Sequence, residues 1–201
     1  MATKSLTPEQ IEIADGDLFF YPNFFTVEES ESFFFELDET IKWRQDLINL
    51  YGKTFPIPRL NAWYGDSDKP YTYSGIDMEP EPWTPALLEI KTAVEEVAEV
   101  EFNSVLVNKY RNGKDSVAWH SDDEPELGKN PIIASVSFGE TRRFVLRHKY
   151  REDVGKISLD LTDGSLLIMK GETQHFWQHQ IPKTSRKVAP RINLTFRVIV
   201  N

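Results

Sequence analysis

Along the second half of the chain, apolar and polar positions alternate. In RINLTFRV, residues 191–198, Ile192, Leu194, Phe196 and Val198 take one parity and Arg191, Asn193, Thr195 and Arg197 the other. Side chains two apart on a strand share a face, so the segment presents one apolar face and one that carries two guanidiniums, an amide and a hydroxyl. Further β-type segments bounded by turn residues precede it: SVLVNKYR, PIIASVSFG, TRRFVLRHK, GKISLDL, GSLLIMK and HFWQHQIP. The first half follows a helical period instead. FFTVEESESFFFELDETIKW sets Thr26 three residues before Glu29, the spacing of a capping box, with acids where the helix dipole favours them. TPALLEIKTAVEEVAEV offers Thr84 as N-cap, Pro85 at the first helical position, and Leu87, Ile90, Val94 and Val97 at helical spacing. Residues 46–82, rich in Pro, Gly, Tyr and Trp, read as short strands and loops. The pattern predicts an α+β chain, helices first and then roughly eight short strands closing into a sandwich or barrel.

Composition narrows the class. The 201 residues are 40% hydrophobic and 12% aromatic, which suits one domain with its own core. There is no cysteine, which excludes disulfides, thiolate metal sites and a Cys nucleophile. The opening MATKSLTPEQIEIADGD lacks the basic start and apolar core of a secretory signal, and no later run approaches the ~18 apolar residues of a membrane span. The chain therefore reads as soluble and intracellular, in the cytoplasm of a bacterium or the nucleus of a eukaryote. A net charge of −9 argues at first against a nucleic-acid partner. Residues 1–40, however, hold ten acids and one base, and from residue 101 onward 16 bases face 12 acids. The acidic arm reads as a solvated helix face and does not describe the surface around a site elsewhere.

The chain has four histidines. HSDDEP places His120 and Asp122 two apart, and HFWQHQ offers His175 and His179. An imidazole and a carboxylate from one turn-like segment, with a second imidazole from a later strand, form one face of three ligands. Non-haem Fe(II) oxygenases use that donor set, because the open positions admit an oxidant and a co-substrate. A closed structural zinc site would want four ligands and often Cys. An H-x-D pair alone arises by chance, and His175 and His179 compete for the second imidazole. His148, in RRFVLRHKYRED, reads as part of a basic hairpin. The arginine face supplies the other half of the argument. A guanidinium turned inward demands an anion, and its planar fork matches a carboxylate. Arg191 and Arg197 either meet a carboxylate ligand or pair with acids such as Asp160 or Asp163. Asn108 and Tyr110 share one face of VLVNKYR and add an amide and a phenol.

NKYRNGKDSVAWHSDDEPELG, PIIASVSFGETRRF, GSLLIMKGETQHFWQH and PRINLTFR together resemble the signature blocks of the AlkB family, Fe(II)/2-oxoglutarate dioxygenases that remove alkyl groups from nucleic-acid bases. The likeness spans residues 55–200, and PRLNAWYGD and YTYSG are similar to the substrate lid of the short, eukaryote-type DNA-repair branch. It implies a double-stranded β-helix (jelly-roll) core, N-terminal helices packed on one sheet, and a nucleotide-recognition lid. Residues 1–16 would be a tail, 17–103 the helices and lid, and 104–201 the core. The resemblance implies Fe(II) ligation by His120, Asp122 and His179, which decides between the two later histidines. It implies that Asn108, Tyr110, Arg191, Asn193 and Arg197 hold 2-oxoglutarate. Arg191 would take the distal carboxylate with Asn193 and Tyr110, while Arg197, also counted catalytic, would sit with Asn108 nearer the keto-acid end.

Substrate recognition follows from the same resemblance. A base methyl is reached only when the nucleotide leaves its stack or lies on a single strand, and the freed base needs flat walls. Tyr73 is the candidate wall opposite His120, with Tyr71, Ser74 and Asp123 or Glu124 toward the polar edge of the base. Leu50, Tyr51 and Gly52 stand where duplex-active relatives carry an apolar finger, here with Tyr in place of Phe. Phosphate contacts would come from Arg59, the Arg142–Arg151 hairpin, and Lys183, Arg186 and Lys187. The implied function is demethylation of 1-methyladenine and 3-methylcytosine in single- or double-stranded DNA by a monomer. The reaction would consume 2-oxoglutarate and O2 and release formaldehyde. A 2-oxoglutarate dioxygenase for RNA or another substrate, and a non-catalytic nucleic-acid binder, are the alternatives.

Overall fold

The computed structural model describes residues 5–50, 52–67, 71–73, 76–78 and 80–200, the side chains of 49, 50, 71–73 and 76–78 excepted. Both helices start where the polar punctuation places them. In α1 (Val27–Thr40) Thr26 Oγ1 accepts from the Glu29 N–H at 3.1 Å, and Glu29 Oε2 accepts from the Thr26 N–H at 2.8 Å. The capping box therefore satisfies two donors that a helix start leaves without partners. In α2 (Pro85–Ala98) Thr84 caps the Leu87 N–H, and Glu99 closes the helix in the left-handed conformation. A four-residue helix, α3 (Thr173–Phe176), lies late in the chain.

The strands are β1 (Glu9–Ile11) and β2 (Asp17–Tyr21) before α1; β3 (Leu47–Leu50), β4 (Lys53–Pro56), β5 (Leu60–Gly65), β6 (Tyr71–Tyr73) and β7 (Ile76–Met78) between the helices; and β8 (Ser104–Tyr110), β9 (Val117–His120), β10 (Ile133–Gly139), β11 (Arg142–His148), β12 (Ile157–Leu161), β13 (Ser165–Lys170), β14 (Trp177–Ile181) and β15 (Arg191–Arg197) after them. One sheet runs β1-β2-β13-β10-β15-β8-β5, and a second runs β12-β11-β14-β9. From β8 onward the chain passes between the two sheets at nearly every connection, and every pairing is antiparallel. That is the jelly-roll order, which folds an eight-strand run into two facing layers. Glu9–Ile11, inside the segment read from sequence as a tail, pairs with β2 and extends the larger sheet.

The alternation of the strands sorts their side chains into two cores. Val105 and Val107, Ala134, Val136 and Phe138, and Ile192, Leu194 and Phe196 pack on one side of the larger sheet beneath Phe33, Leu37, Leu87, Ile90 and Val94 of the helices. The opposite parity faces the smaller sheet, where Leu106, Tyr110, Leu167 and Met169 meet Phe144, Leu146 and Ile181. Strand β15 is buried on both faces. Its arginine face therefore turns into the space between the sheets and not to water.

Candidate active site

Strands β9 and β14 are neighbours, and register sets His120 directly opposite His179. Asp122 follows the end of β9 by two residues and is held by its backbone N–H, which donates to Gln174 Oε1 at 2.9 Å. The ligand atoms of His120, Asp122 and His179 consequently lie within 4.8 Å of one another. His120 Nδ1 lies 2.8 Å from the Ala118 carbonyl, which can only accept, so Nδ1 carries the proton and Nε2 is left for a metal. Phe144 stacks on the His179 ring with centroids 5.1 Å apart. Burial pushes both imidazoles below their ordinary range, His179 to about 3 with His120 beside it. Burial would raise Asp122, but Arg197 and the two imidazoles outweigh it and hold the carboxyl at about 2. Two neutral imidazoles and one ionised carboxylate are the protonation states a divalent metal requires.

A cavity opens between the sheets, lined by His120, Asp122 and His179 and by Asn108, Tyr110, Arg191, Asn193 and Arg197. The residues read from sequence as metal and co-substrate ligands thus share one space. Arg191 is 1% exposed, and its Nη2 donates to Ser137 Oγ at 2.8 Å. Its Nε and Nη1 are buried without a hydrogen-bond partner. No carboxylate pairs with Arg191 among the described residues: Asp160 lies by Arg143 at 3.5 Å, and Asp163 accepts from the Gly139 N–H. Burial, with Arg142 nearby, lowers Arg191 to about 10, although Tyr110 opposes the shift. A buried cation with two unused donors, facing a cavity, fits a carboxylate ligand. Arg197 Nη2 donates to Asp122 Oδ1, joining the cationic wall to the metal triad.

A family model for the 2OG-Fe(II) oxygenase superfamily matches residues 17–197. The chain is 50% identical over 186 residues to the bovine alpha-ketoglutarate-dependent dioxygenase alkB homolog 3, covering 89% of this chain and 64% of the relative. It is 40% identical over 189 residues to the mouse DNA oxidative demethylase ALKBH2, covering 90% of this chain and 79% of the relative. The chain belongs to the AlkB family of 2OG-Fe(II) oxygenases. Among solved structures, the one titled "The structure of OsALKBH1" superposes with a TM-score of 0.66 at 17% identity, covering 94% of this chain and 100% of that one, which supports the fold. The chain spans under two thirds of the length of the alkB homolog 3 relatives, 64% of the bovine and 65% of the human protein.

Within this AlkB-family site several residues differ in place from the expectation. Asn193 commits both amide hydrogens to Ser135 Oγ at 2.9 Å and the Val136 carbonyl at 2.8 Å, so it braces the wall and has no hydrogen left for a ligand. Arg59, expected at phosphate, is buried in the cavity wall. Arg142, expected in the basic hairpin, is also buried and donates to the carbonyls of Asn112, Asp115 and Pro182, a structural role. His148 meets Asp15 at 3.2 Å, and His175 meets Asn130 at 2.8 Å, so both lie outside the His120, Asp122 and His179 cluster. Neither Asp123 nor Glu124 lines the cavity, and Lys149 Nζ donates to Asp123 at 2.8 Å. Tyr51 and Ser74 lie outside the described residues, as do the side chains of Leu50, Tyr71 and Tyr73. Ser135, Ser137, Phe144 and Gln174 were missed by sequence reasoning. The two serines at alternate positions of IASVS were the one available signal, polar residues on the inward parity of a strand.

Proposed function

We propose that this chain demethylates 1-methyladenine and 3-methylcytosine in DNA, with Fe(II) and 2-oxoglutarate as cofactor and co-substrate. His120, Asp122 and His179 would hold the iron, and Arg191, Tyr110, Asn108 and Arg197 the 2-oxoglutarate. When bound, the iron supplies oxidising chemistry that couples conversion of 2-oxoglutarate and O2 to succinate and CO2 with hydroxylation of the base methyl, which leaves as formaldehyde. The chain's own residues prepare for this. Arg191 keeps Nε and Nη1 free of protein partners for a carboxylate, Arg197 keeps Asp122 ionised, and Ala118 sets the tautomer of His120. Leu106, Phe144, Leu161, Met169 and Ile181 add apolar wall to the cavity. The relative named DNA oxidative demethylase supports DNA as the substrate.

The observation that carries this reading is the buried Arg191 guanidinium, its Nε and Nη1 unpartnered and no protein carboxylate against it among the described residues, in a cavity shared with the His-Asp-His triad. The test is succinate and formaldehyde formation with a methylated oligonucleotide. Stimulation by the methylated strand over the unmethylated one is expected, and equal turnover on both would overturn the assignment.

A further inference from the structure

Arg59 lies between β4 and β5 and is 6% exposed, too deep to serve a backbone phosphate at the surface. Its Nε donates to Asn108 Oδ1 at 2.8 Å and its Nη1 to the Ser116 carbonyl at 3.3 Å. The segment is anchored on both sides, since the Arg59 N–H donates to Ile57 O at 2.9 Å and the Ser116 N–H donates to Pro58 O at 2.8 Å. One guanidinium thus ties β8, which carries Asn108 and Tyr110, to the residue before β9, which ends at His120.

The contact with Asn108 has a chemical direction. An amide side chain presents oxygen on one side and N–H2 on the other, and with no fixed partner it can turn either end inward. A guanidinium only donates, so the end of Asn108 that faces Arg59 is the oxygen. The N–H2 is then the end offered to the cavity that Asn108 lines. In register, Asn61 and Asn193 flank Asn108 on the neighbouring strands, but neither sets its orientation. Asn61 Nδ2 donates to Asp46, and Asn193 has given both hydrogens to Ser135 and Val136. We propose that Arg59 is a positioning residue of the co-substrate pocket, fixing the Asn108 amide with its donor end toward the carboxylate of 2-oxoglutarate. A flipped amide would set oxygen against oxygen. The inference rests on the reading that 2-oxoglutarate occupies this cavity.

The test measures 2-oxoglutarate binding by calorimetry with Mn(II) in place of Fe(II), and binding of a methylated single-stranded oligonucleotide by fluorescence anisotropy. Arg59→Met is expected to weaken 2-oxoglutarate about tenfold, the ratio that ~1.4 kcal/mol represents, and to change oligonucleotide affinity by less than about twofold. Arg59→Lys, which still donates, recovers most of the loss. The double variant with Asn108→Ala binds no more weakly than Asn108→Ala alone, because the two residues act through one amide. Asn108→Asp keeps the Arg59 contact and removes the N–H2, so it loses 2-oxoglutarate without a fall in melting temperature, which covers the case in which Arg59→Met fails to fold. Undiminished 2-oxoglutarate binding by Asn108→Asp, additive losses in the double variant, or a loss confined to the oligonucleotide in Arg59→Met overturns the inference. If the wild type and Arg191→Met bind 2-oxoglutarate equally or not at all, the co-substrate reading itself fails, and Arg59 has nothing to position.

Discussion

Arg191 sits where a cation should not be stable without a ligand. It donates one hydrogen bond to Ser137, faces the Tyr110 ring at 5.2 Å, and leaves Nε and Nη1 without partners in a buried wall. Replacing an unpaired buried charge with an apolar side chain of similar length is often neutral or stabilising, whereas losing charge-assisted hydrogen bonds removes ligand affinity. Arg191→Met is therefore expected to melt no lower than wild type without ligand. It should also lose about 100-fold in 2-oxoglutarate affinity, which corresponds to ~2.7 kcal/mol. Melting curves with and without 2-oxoglutarate read both effects, and an unchanged ligand response would remove Arg191 from the pocket. His179 gives a second prediction at this scale. Its folded value of about 3 is below the ~6.5 of an exposed imidazole. Between those values the unfolded chain takes up a proton that the fold refuses, so metal-free stability falls as pH drops from about 6.5 toward 3 and is flat for this group above that window. Asp122 adds a separate loss only below the ordinary carboxylate range, as pH falls toward about 2. His179→Leu should flatten the slope between pH ~7 and ~5, measured as the urea midpoint.

At the scale of elements, the turn between β10 and β11 holds the wall in register. Gly139 has φ +84°, and a Cβ there would meet the Pro190 carbonyl at 2.6 Å and the Phe34 ring at 2.8 Å. It also pairs with Arg191 across β10 and β15. Gly139→Ala combines left-handed strain of about 1–2 kcal/mol with a backbone clash, so thermal stability should fall by at least that amount and 2-oxoglutarate binding should weaken with it. Unchanged melting would show that the turn relaxes freely. The helices and most core strands were legible because each has a local signature: the capping residues Thr26 and Thr84, and the period-two runs such as RINLTFR. Strand β9 has no local strand signature, since it is only four residues long, ends at His120 and lies at a sheet edge. Strand β1 is only three residues long and is specified by its partner β2, not by its own pattern. The grouping of His120, Asp122 and His179 was legible from spacing and family likeness, as was the inward face of Arg191 and Arg197. Burial was not, which is why Arg59 and Arg142 looked like surface cations. Gln174 and Phe144 gave no local signal, because their roles exist only through interactions made across the sheets.

At the scale of the whole molecule, the charge is partitioned by the larger sheet. Helix α1 packs on its outer side, carrying exposed Glu28, Glu31, Glu36 and Glu39, while the cavity lies on the inner side. Lys183, Arg186 and Lys187 are on the connection between β14 and β15, the latter strand carrying the arginine wall. At physiological ionic strength the Debye length is about 8 Å, shorter than the span of two packed layers, so the acidic helix should hardly reach a strand bound on the cavity side. Changing Glu28, Glu31 and Glu36 to Gln together is expected to alter oligonucleotide affinity by less than about twofold at that salt. Changing Lys183, Arg186 and Lys187 to Gln should weaken binding and lower the salt slope of log K by ~0.7 for each single-strand phosphate that is no longer neutralised. A wild-type slope unmoved by the triple Lys/Arg change would place the nucleic acid on a different face. Anisotropy titrations at several salt concentrations measure all of these slopes, and the acidic-helix variant is the control for net charge, since it changes that charge by an equal amount in the opposite direction.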